Sequence, residues 1–261
     1  MFRRQKKGQS PEEVPLDDEM LVVVDQSVSP FLVVFHDPTG FRAEQFRSLR
    51  NKLLAMNPEG TARILVVTSA IKGEGKTITS INLAMSFAEM ERTPVLLVDA
   101  DLRAPAIERY LNLNPQPGLA DVLLGRIGLD RAVRDSGFRN LRLLGAGTRL
   151  AGPSELLTSP RIEELFSRLK ESYQYVIVDT PPTLPVTDAS VLSARADGTL
   201  LVVRLEHSPK NLTKDALRVL QDLGGNVLGT FVTEVRGADP DANPRLAYTR
   251  INDGDEGGEE I

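Results

Sequence analysis

The stretch "VVTSAIKGEGKTITSINLA", residues 66 to 84, contains an apolar run that breaks into glycine and lysine and then resumes with helical spacing. This pattern predicts a buried strand, a tight loop and a helix in that order. Gly73 and Gly75 let the backbone turn so that several N–H groups point at one phosphate, and a helix beginning at Thr77 adds its positive end. The stretch therefore predicts a phosphate-binding loop.

The loop follows the pattern G-x-x-x-x-G-K-[ST] except at its first position, where Ala70 stands for glycine. Lys76 is placed to reach the β- and γ-phosphates of a nucleotide, and the Thr77 hydroxyl is placed to ligate Mg²⁺. The order of strand, loop, lysine, threonine and helix favours binding of ATP and Mg²⁺ over a glycine turn that binds nothing. The residues expected to contact the nucleotide are Ala70, Lys72, Gly73, Glu74, Gly75, Lys76, Thr77 and Ile78.

Strands and helices alternate along most of the chain. Runs rich in leucine and β-branched residues predict buried parallel strands over residues 64–69, 95–101, 175–182, 199–205 and 227–232. Helical spacing predicts helices over residues 42–56, 77–92, 160–172 and 210–222. We expect an α/β fold with a doubly wound, mostly parallel sheet of P-loop NTPase type and helices on both faces.

The composition predicts one domain with a flexible tail at each end. With 41% hydrophobic residues among 261, the chain can bury a full core, and we place the ATPase or kinase domain at residues 21–235. Residues 1–20 are highly charged, and residues 236–261 are rich in Asp, Glu, Gly and Pro, so both are predicted to be tails. A membrane-surface role for the first tail is an alternative that rests on Arg3, Arg4, Lys6 and Lys7.

Composition also disfavours several classes of function. The net charge of −5 argues against a broadly basic nucleic-acid surface. The chain has no cysteine, so disulfides, thiolate zinc sites and iron–sulfur clusters within it are excluded, and its two histidines lie on unrelated stretches. The longest apolar runs are far shorter than the roughly 20 residues of a membrane helix. The absence of cysteine fits a reducing compartment.

Three aspartates follow predicted buried strands. Asp99 and Asp101 lie in "LLVDADLRAP", and Asp179 lies in "VIVDTPP". A nucleoside triphosphate site needs carboxylates to hold hydrated Mg²⁺ and to accept a proton from the attacking group. A lone aspartate after a strand is often only a helix cap or turn former. Three of them in a chain with a phosphate-binding loop favour a catalytic site.

Together these motifs resemble those of the bacterial tyrosine kinases, the BY-kinases that control capsule and exopolysaccharide synthesis. The resemblance covers about residues 40–235. Its motifs are the Walker A-like "SAIKGEGKT", the Walker A′-like "VLLVDADLRAP", the Walker B-like "VIVDTPP", "GAGTRLAGPSELL" from Gly145 and "PGLADVLLGR" from Pro117. The combination is highly specific, since no single motif separates this family from other P-loop ATPases.

The resemblance implies roles for the residues that match these motifs. Thr77, Asp99 and Asp179 would organise Mg²⁺, the last directly or through water, and Lys76 would neutralise the transferred phosphoryl group. Asp101 would accept the proton of an attacking tyrosine hydroxyl. The expected catalytic residues are thus Lys76, Asp99 and Asp101. Arg103 would either assist phosphate contacts or form a structural salt bridge.

The helix at residues 42–56 carries Glu44, Arg47 and Arg50, which match the E-x-x-R-x-x-R motif through which these kinases assemble into rings. Residues at i, i+3 and i+6 lie near one side of a helix and could present alternating charge to a neighbouring subunit. The alternative is a solvated charged stripe, and only the resemblance favours a homo-oligomer.

The chain departs from the family pattern in three places. It lacks the C-terminal tyrosine cluster, so Tyr248 is the single candidate phosphoacceptor, or else an aromatic that packs the tail. Lys72 stands where the family commonly has proline, and either adds charge near the phosphates or points to solvent. Thr233 stands near the place of an asparagine that recognises adenine, which weakens the expectation of base selectivity.

The resemblance implies a cytoplasmic, ATP- and Mg²⁺-dependent tyrosine autokinase that regulates exopolysaccharide or capsule synthesis or export. Its implied partner is a membrane-embedded polysaccharide co-polymerase or activator that holds it at the inner face of the membrane. One alternative is a regulatory ATPase of the same pathway without phosphotransfer. Another is a positioning ATPase related to ParA and MinD, but Ile71 holds the place of its signature lysine.

Overall fold

The computed structural model describes residues 28–150 and 152–234, which form a seven-stranded sheet in the order β3-β4-β2-β5-β1-β6-β7. Every neighbouring pair is parallel except β3 and β4. The strands are β1 (Arg63–Ser69), β2 (Val95–Asp99), β3 (Arg134–Asp135), β4 (Leu141–Leu144), β5 (Tyr175–Asp179), β6 (Gly198–Arg204) and β7 (Val227–Thr233). The predicted α/β class and mostly parallel sheet are confirmed.

Ten helices in the described residues surround this sheet. They are α1 (Val33–His36), α2 (Phe41–Ala55), α3 (Lys76–Ala88), α4 (Ile107–Tyr110), α5 (Leu119–Leu123), α6 (Leu129–Ala132), α7 (Ser154–Thr158), α8 (Arg161–Ser172), α9 (Asp188–Arg195) and α10 (Lys210–Asp222). None of them is both long and apolar enough to cross a membrane.

The central strands are apolar on both faces because each face carries a separate core. Leu65 and Val67 of β1 pack into one core with α2 and α3, whereas Ile64 and Val66 pack into a second core with α8. Every residue of β2 and β5 is buried. The continuous apolar runs in the sequence are thus explained by helices covering both sides of parallel strands.

The four predicted helices are present as α2, α3, α8 and α10, but α3 ends at Ala88 rather than at residue 92. Arg92 adopts a left-handed φ of 58°, and Pro94 follows it, so the helix cannot continue into β2. Two predicted strands were also too long. Strand β2 ends at Asp99 and β5 at Asp179, where the chain turns away and then meets prolines that lack an N–H.

The outermost strands on one side, β3 and β4, were not predicted. Strand β3 has two residues and β4 has four, so neither shows a clear period. Both predicted tails, residues 1–20 and 236–261, lie outside the described residues. Of the predicted domain at residues 21–235, the structure describes 28–150 and 152–234. Tyr248 also lies outside the described residues.

The sheet brings the sequence motifs together at one edge. Strands β2, β5 and β1 are adjacent and parallel, so their carboxyl ends lie side by side, and Asp99 is in register with Asp179. The glycine loop leaves the carboxyl end of β1 directly into α3. This is the edge at which doubly wound sheets bind ligands.

Candidate active site

The loop between β1 and α3 has an open backbone. Gly73 and Gly75 have φ of 90° and 89°, a left-handed conformation in which glycine alone is unstrained. In the described part of the chain, the backbone N–H groups of residues 75 to 78 donate to no protein acceptor. These donors, together with the positive end of α3, form a cradle suited to a phosphate.

Lys76 lies among acidic groups at the start of α3. Its Nζ is 2.9 Å from an Asp101 carboxylate oxygen, 3.3 Å from Thr77 Oγ1 and 3.9 Å from Asp179 Oδ2. Burial disfavours the charged ammonium, but the charges of Asp179 and Asp101 outweigh that cost and raise the pKa of Lys76. Lys76 is therefore a positively charged group that Asp101 and Asp179 hold beside the cradle.

Asp179 is fully buried and is held by two hydroxyl groups of α3. Thr77 Oγ1 donates to Oδ2 at 2.7 Å, and Ser80 Oγ donates to Oδ1 at 3.0 Å. Burial raises the pKa of the Asp179 carboxyl, and Lys76 opposes that rise. Sequence reasoning missed Ser80. Its spacing of three residues from Thr77 on the same helix was the available signal.

Asp99 lies beside Asp179 and is also fully buried. Its Oδ1 accepts the Asp101 N–H at 3.1 Å, and its Oδ2 accepts the N–H groups of Ala106 and Ile107 at 3.0 and 3.1 Å. Burial, followed by the charge of Asp179, raises the pKa of Asp99 to about 7. Asp99 thus anchors the start of α4 in addition to facing the site.

Thr77, Asp99 and Asp179 fit a magnesium ion that keeps part of its water shell. The two carboxylates are buried in register, and a cation near them would offset their mutual repulsion. No cluster of three or more acidic or histidine side chains suited to a metal occurs in the described residues. Mg²⁺ is usually held by one or two carboxylates with water and phosphate oxygens, so a full protein cage is not required.

Asp101 faces the same space from the end of β2. Its Oδ2 contacts Lys76, and its Oδ1 accepts the Ala104 N–H at 3.0 Å. The residue is 5% exposed. A carboxylate held in this way, next to the lysine of the cradle, is positioned to accept a proton from a group that approaches a bound phosphate.

Arg103 forms the salt bridge that sequence reasoning held as the alternative to phosphate contact. Its Nε donates to Asp188 at 2.9 Å, and its Nη2 donates to Ser154 Oγ at 2.6 Å. Ser154 in turn donates to Asp188 at 2.6 Å. The bridge joins the segment after β2 to α7 and α9, and Asp188 had no signal in the sequence that marked it.

Lys72 and Thr233, two positions at which the chain departs from the family pattern, lie at the rim of the cradle. The Lys72 side chain is exposed to solvent. Thr233, at the end of β7, donates its hydroxyl to the carbonyl of Glu74 at 3.2 Å. Thr233 therefore supports the loop backbone directly.

Arg47 and Arg50 of α2 are bound within the chain. Arg47 contacts both oxygens of Glu89 at 2.8 and 2.5 Å, and also pairs with Glu44. Arg50 donates to the Ser86 carbonyl at 2.6 Å and lies 3.3 Å from Glu89. Glu44 is the most exposed member of the motif, with 56% of its side chain accessible. Neither arginine is a freely solvated charge.

The chain is similar to known proteins over most of its length. Residues 62–221 match a family model described as an AAA domain. Tyrosine-protein kinase YwqD of Bacillus subtilis (strain 168) is 34% identical over 201 residues, which cover 77% of this chain and 84% of YwqD. The kinase domain of Escherichia coli tyrosine kinase ETK is 32% identical, with a TM-score of 0.74, and the match covers 79% of this chain and 80% of that one.

A more distant solved structure shares the fold and carries a nucleotide. The septum site-determining protein MinD of Pyrococcus horikoshii OT3, complexed with Mg-ADP, is 27% identical with a TM-score of 0.57. That match covers 70% of this chain and 77% of the MinD chain. The fold is therefore that of P-loop ATPases. The chain is more similar to YwqD than to this MinD, and its similarity to YwqD extends over most of both chains. The chain belongs to the bacterial tyrosine-protein kinases.

Proposed function

We propose that the protein is an ATP- and Mg²⁺-dependent tyrosine autokinase that regulates exopolysaccharide or capsule synthesis or export. The observation that carries the proposal is the convergence of an open N–H cradle, a largely buried lysine and aspartates from adjacent strands. Lys76 lies within 4 Å of both Asp101 and Asp179. Positioning and charge stabilisation of this kind are what phosphoryl transfer requires.

The residues divide the reaction between them. The N–H groups of the cradle and Lys76 bind the phosphates and neutralise the charge that develops on the transferred group. Thr77 and Asp179, with Asp99, would hold Mg²⁺, which supplies charge neutralisation at the β- and γ-phosphates. Asp101 takes the proton from the tyrosine hydroxyl as the tyrosine oxygen bonds to the γ-phosphorus. The bond from that phosphorus to the β,γ-bridging oxygen breaks, and ADP leaves.

Tyr248 is the proposed phosphoacceptor. The other three tyrosines lie in packed positions: Tyr175 is buried and stacks on Phe87 with ring centroids 4.2 Å apart, while Tyr110 and Tyr173 are partly buried. An acceptor must reach the active site of the same or a neighbouring subunit, which a tyrosine packed against the core cannot do without local unfolding. The proposal therefore predicts phosphate on Tyr248 alone.

The proposed setting follows from the family resemblance. The protein would act in the cytoplasm at the inner face of the membrane, bound to a membrane-embedded polysaccharide co-polymerase or activator. It would form homo-oligomers through Glu44, Arg47 and Arg50, and it would bind no nucleic acid. Activity of the chain without its activator is expected to be low.

The proposal is tested by intact mass spectrometry of the purified protein after incubation with Mg²⁺ and ATP. Matched samples contain Lys76→Met, which removes the phosphate-binding ammonium, and Tyr248→Phe, which removes only the acceptor hydroxyl. We expect added phosphate in the unmodified protein, mapped to Tyr248, and none in either variant. Nucleotide binding is measured in the same samples, and Tyr248→Phe should retain it.

A regulatory ATPase of the same pathway is the second candidate, because the chain has one candidate acceptor tyrosine, Tyr248, where the family usually has a C-terminal cluster. It would bind and hydrolyse ATP without adding phosphate to any tyrosine, even with the membrane activator present. Phosphate on tyrosines of Lys76→Met would contradict the site itself.

A further inference from the structure

The cradle is held from one side by the ends of β6 and β7. Arg204 Nη1 donates to the Gly73 carbonyl at 3.2 Å, and Thr233 Oγ1 donates to the Glu74 carbonyl at 3.2 Å. A trans peptide unit points its N–H opposite to its C=O. Anchoring these two carbonyls outward therefore points the N–H groups of Glu74 and Gly75 inward.

The side chain of Glu74 is the most unusual part of this arrangement, since it places a carboxylate within a loop that binds anions. Glu74 has no exposed surface. Its Oε2 accepts the Ile71 N–H at 3.0 Å, and its Oε1 accepts the Ser208 hydroxyl. A buried carboxylate is costly unless its oxygens are satisfied, and here both are.

Ser208 links this carboxylate to the sheet. Its Oγ accepts the backbone N–H of Arg204, the last residue of β6, at 2.9 Å while donating to Glu74. A continuous chain of hydrogen bonds thus runs from the end of β6 through Ser208 and Glu74 to Ile71. The Glu74 carboxylate does not contact Lys76, whose charged partners are Asp101, Asp179 and Asp99.

We propose that Glu74 and Ser208 are positioning residues that fix the shape of the phosphate loop through the β6–α10 turn. The inference deepens the proposed function and rests on nucleotide binding by this loop. The carboxylate takes up the Ile71 N–H and braces the first half of the loop, so that the donors of the second half stay directed at the phosphates. Without the brace, the loop must be ordered by the nucleotide itself, and binding weakens.

The test is equilibrium binding of Mg²⁺ with a fluorescent ATP analogue to the full chain, combined with thermal unfolding without nucleotide. The variants are Ser208→Ala, Glu74→Ala, the double variant and Glu74→Gln. Glutamine can still accept the Ile71 N–H and donate to Ser208 Oγ, so it is the rescue variant. Ser136→Ala is the matched control. Like Ser208 Oγ, Ser136 Oγ donates one hydrogen bond and accepts one backbone N–H, but it lies in the β3–β4 turn, donates to a carbonyl at 2.7 Å and accepts at 3.2 Å.

We expect Ser208→Ala and Glu74→Ala each to weaken binding about tenfold, as loss of a buried hydrogen bond to a charged group does. The double variant should be no weaker than about the worse single variant, because both remove one linked unit. Glu74→Gln should stay within about threefold of the unmodified protein, and Ser136→Ala should bind normally.

Equal binding by Ser208→Ala and the unmodified protein would overturn the inference, as would additive losses in the double variant. A loss of unfolding temperature in Ser208→Ala equal to that in Ser136→Ala, without a difference in binding between them, would also overturn it. If Glu74→Ala does not fold, Ser208→Ala and Glu74→Gln still decide the question. Failure of the unmodified protein to bind nucleotide would instead reject the proposed function.

Discussion

Lys76 is bound to Asp101 at 2.9 Å in the structure, so it must shift part of its contacts to reach phosphate oxygens. Because the lysine supplies the only flexible cation placed between the cradle and the aspartates among the described residues, Lys76→Met should reduce nucleotide affinity at least about 100-fold. The fold should persist, since methionine fills a similar volume. Calorimetric titration with Mg·ATP and a circular dichroism spectrum check the two halves of this prediction, and normal turnover would reject the site.

Asp101→Asn separates binding from chemistry. The single amide oxygen can still accept from Lys76, at the cost of the Ala104 N–H contact, but the amide cannot accept a proton at neutral pH. We expect nucleotide affinity within about threefold of the unmodified protein and a phosphotransfer rate lower by at least about 100-fold. Quantitative mass spectrometry over time, alongside nucleotide titration, measures both. Retained phosphotransfer would remove Asp101 as the base.

Asp179→Asn should stabilise the nucleotide-free protein while removing its metal-dependent activity. In the folded state the pKa of Asp99 is raised to about 7 by burial and by Asp179, above its unfolded value of about 4. The folded state therefore keeps a proton that the unfolded state releases, and the free energy of unfolding falls as pH rises between those values. Removing the charge of residue 179 should relieve part of that fall.

The measurement is urea unfolding of both proteins from pH 5 to 8. We expect Asp179→Asn to gain about 1 to 2 kcal/mol at pH 8 and to lose that advantage as the pH falls toward 5. Thr77 and Ser80 can each reorient a hydroxyl to suit the amide. A stability difference that does not change with pH would contradict the charge-pair explanation.

At the scale of elements, Glu89 joins α2 to α3 through Arg47 and Arg50, so replacing either arginine also breaks contacts within the chain. Glu44 is therefore the better residue for testing assembly. Arg47→Ala should cost about 1 to 2 kcal/mol, because it breaks a two-point contact in which 19% of the arginine is exposed. Glu44→Ala should cost about 0.5 kcal/mol, since the side chain is mostly solvated. If the motif joins subunits, Glu44→Ala nevertheless lowers the oligomer mass.

Light scattering with multi-angle detection gives that mass, and denaturant unfolding gives the stability. Glu59→Ala is a suitable control, because it removes an exposed glutamate outside α2. An unchanged mass for Glu44→Ala, Arg47→Ala and Arg50→Ala would leave the motif with only its observed role of holding α2 on α3.

The sequence predicted the central strands because each is long enough to show a buried apolar run. It could not predict β3 or β4, whose two and four residues are defined by their neighbours in the sheet rather than by their own pattern. The ends of β2 and β5 were misplaced for a related reason. The chain leaves the sheet directly after Asp99 and Asp179, and the prolines further on cannot donate to a strand ladder.

At the scale of the molecule, nucleotide binding should stabilise the whole fold, because the cradle joins β1 to α3 at the centre of the sheet. At 100 times its dissociation constant, Mg·ADP should add about 2.7 kcal/mol to the free energy of unfolding. For a domain of this size that corresponds to a rise of about 5 to 10 °C in melting temperature. Differential scanning calorimetry measures the rise, and Lys76→Met should show none.

The candidate site was predictable where a local motif carries the chemistry and not where partners come from distant parts of the chain. Lys76 and Thr77 follow from the glycine-loop pattern, and the three aspartates follow from their places after strands. Ser208 and Asp188 become visible only when the fold brings them to Glu74 and Arg103. Their sequence neighbourhoods contain nothing that distinguishes them from ordinary surface residues.

Helix α3 has a different task at each end. Its first turn carries Lys76 and Thr77, and its last turn leads, about 20 Å away over 13 residues, to the Glu89 carboxylate between two arginines. Between these ends α3 is one unbroken helix, and 11 of its 13 residues are buried. A neighbouring subunit that drew Arg47 and Arg50 away from Glu89 would therefore act on the same helix that carries Lys76 and Thr77. Assembly and nucleotide affinity would then be reciprocally linked. If subunit contact raises the affinity for nucleotide by some factor, nucleotide binding must raise the affinity between subunits by the same factor.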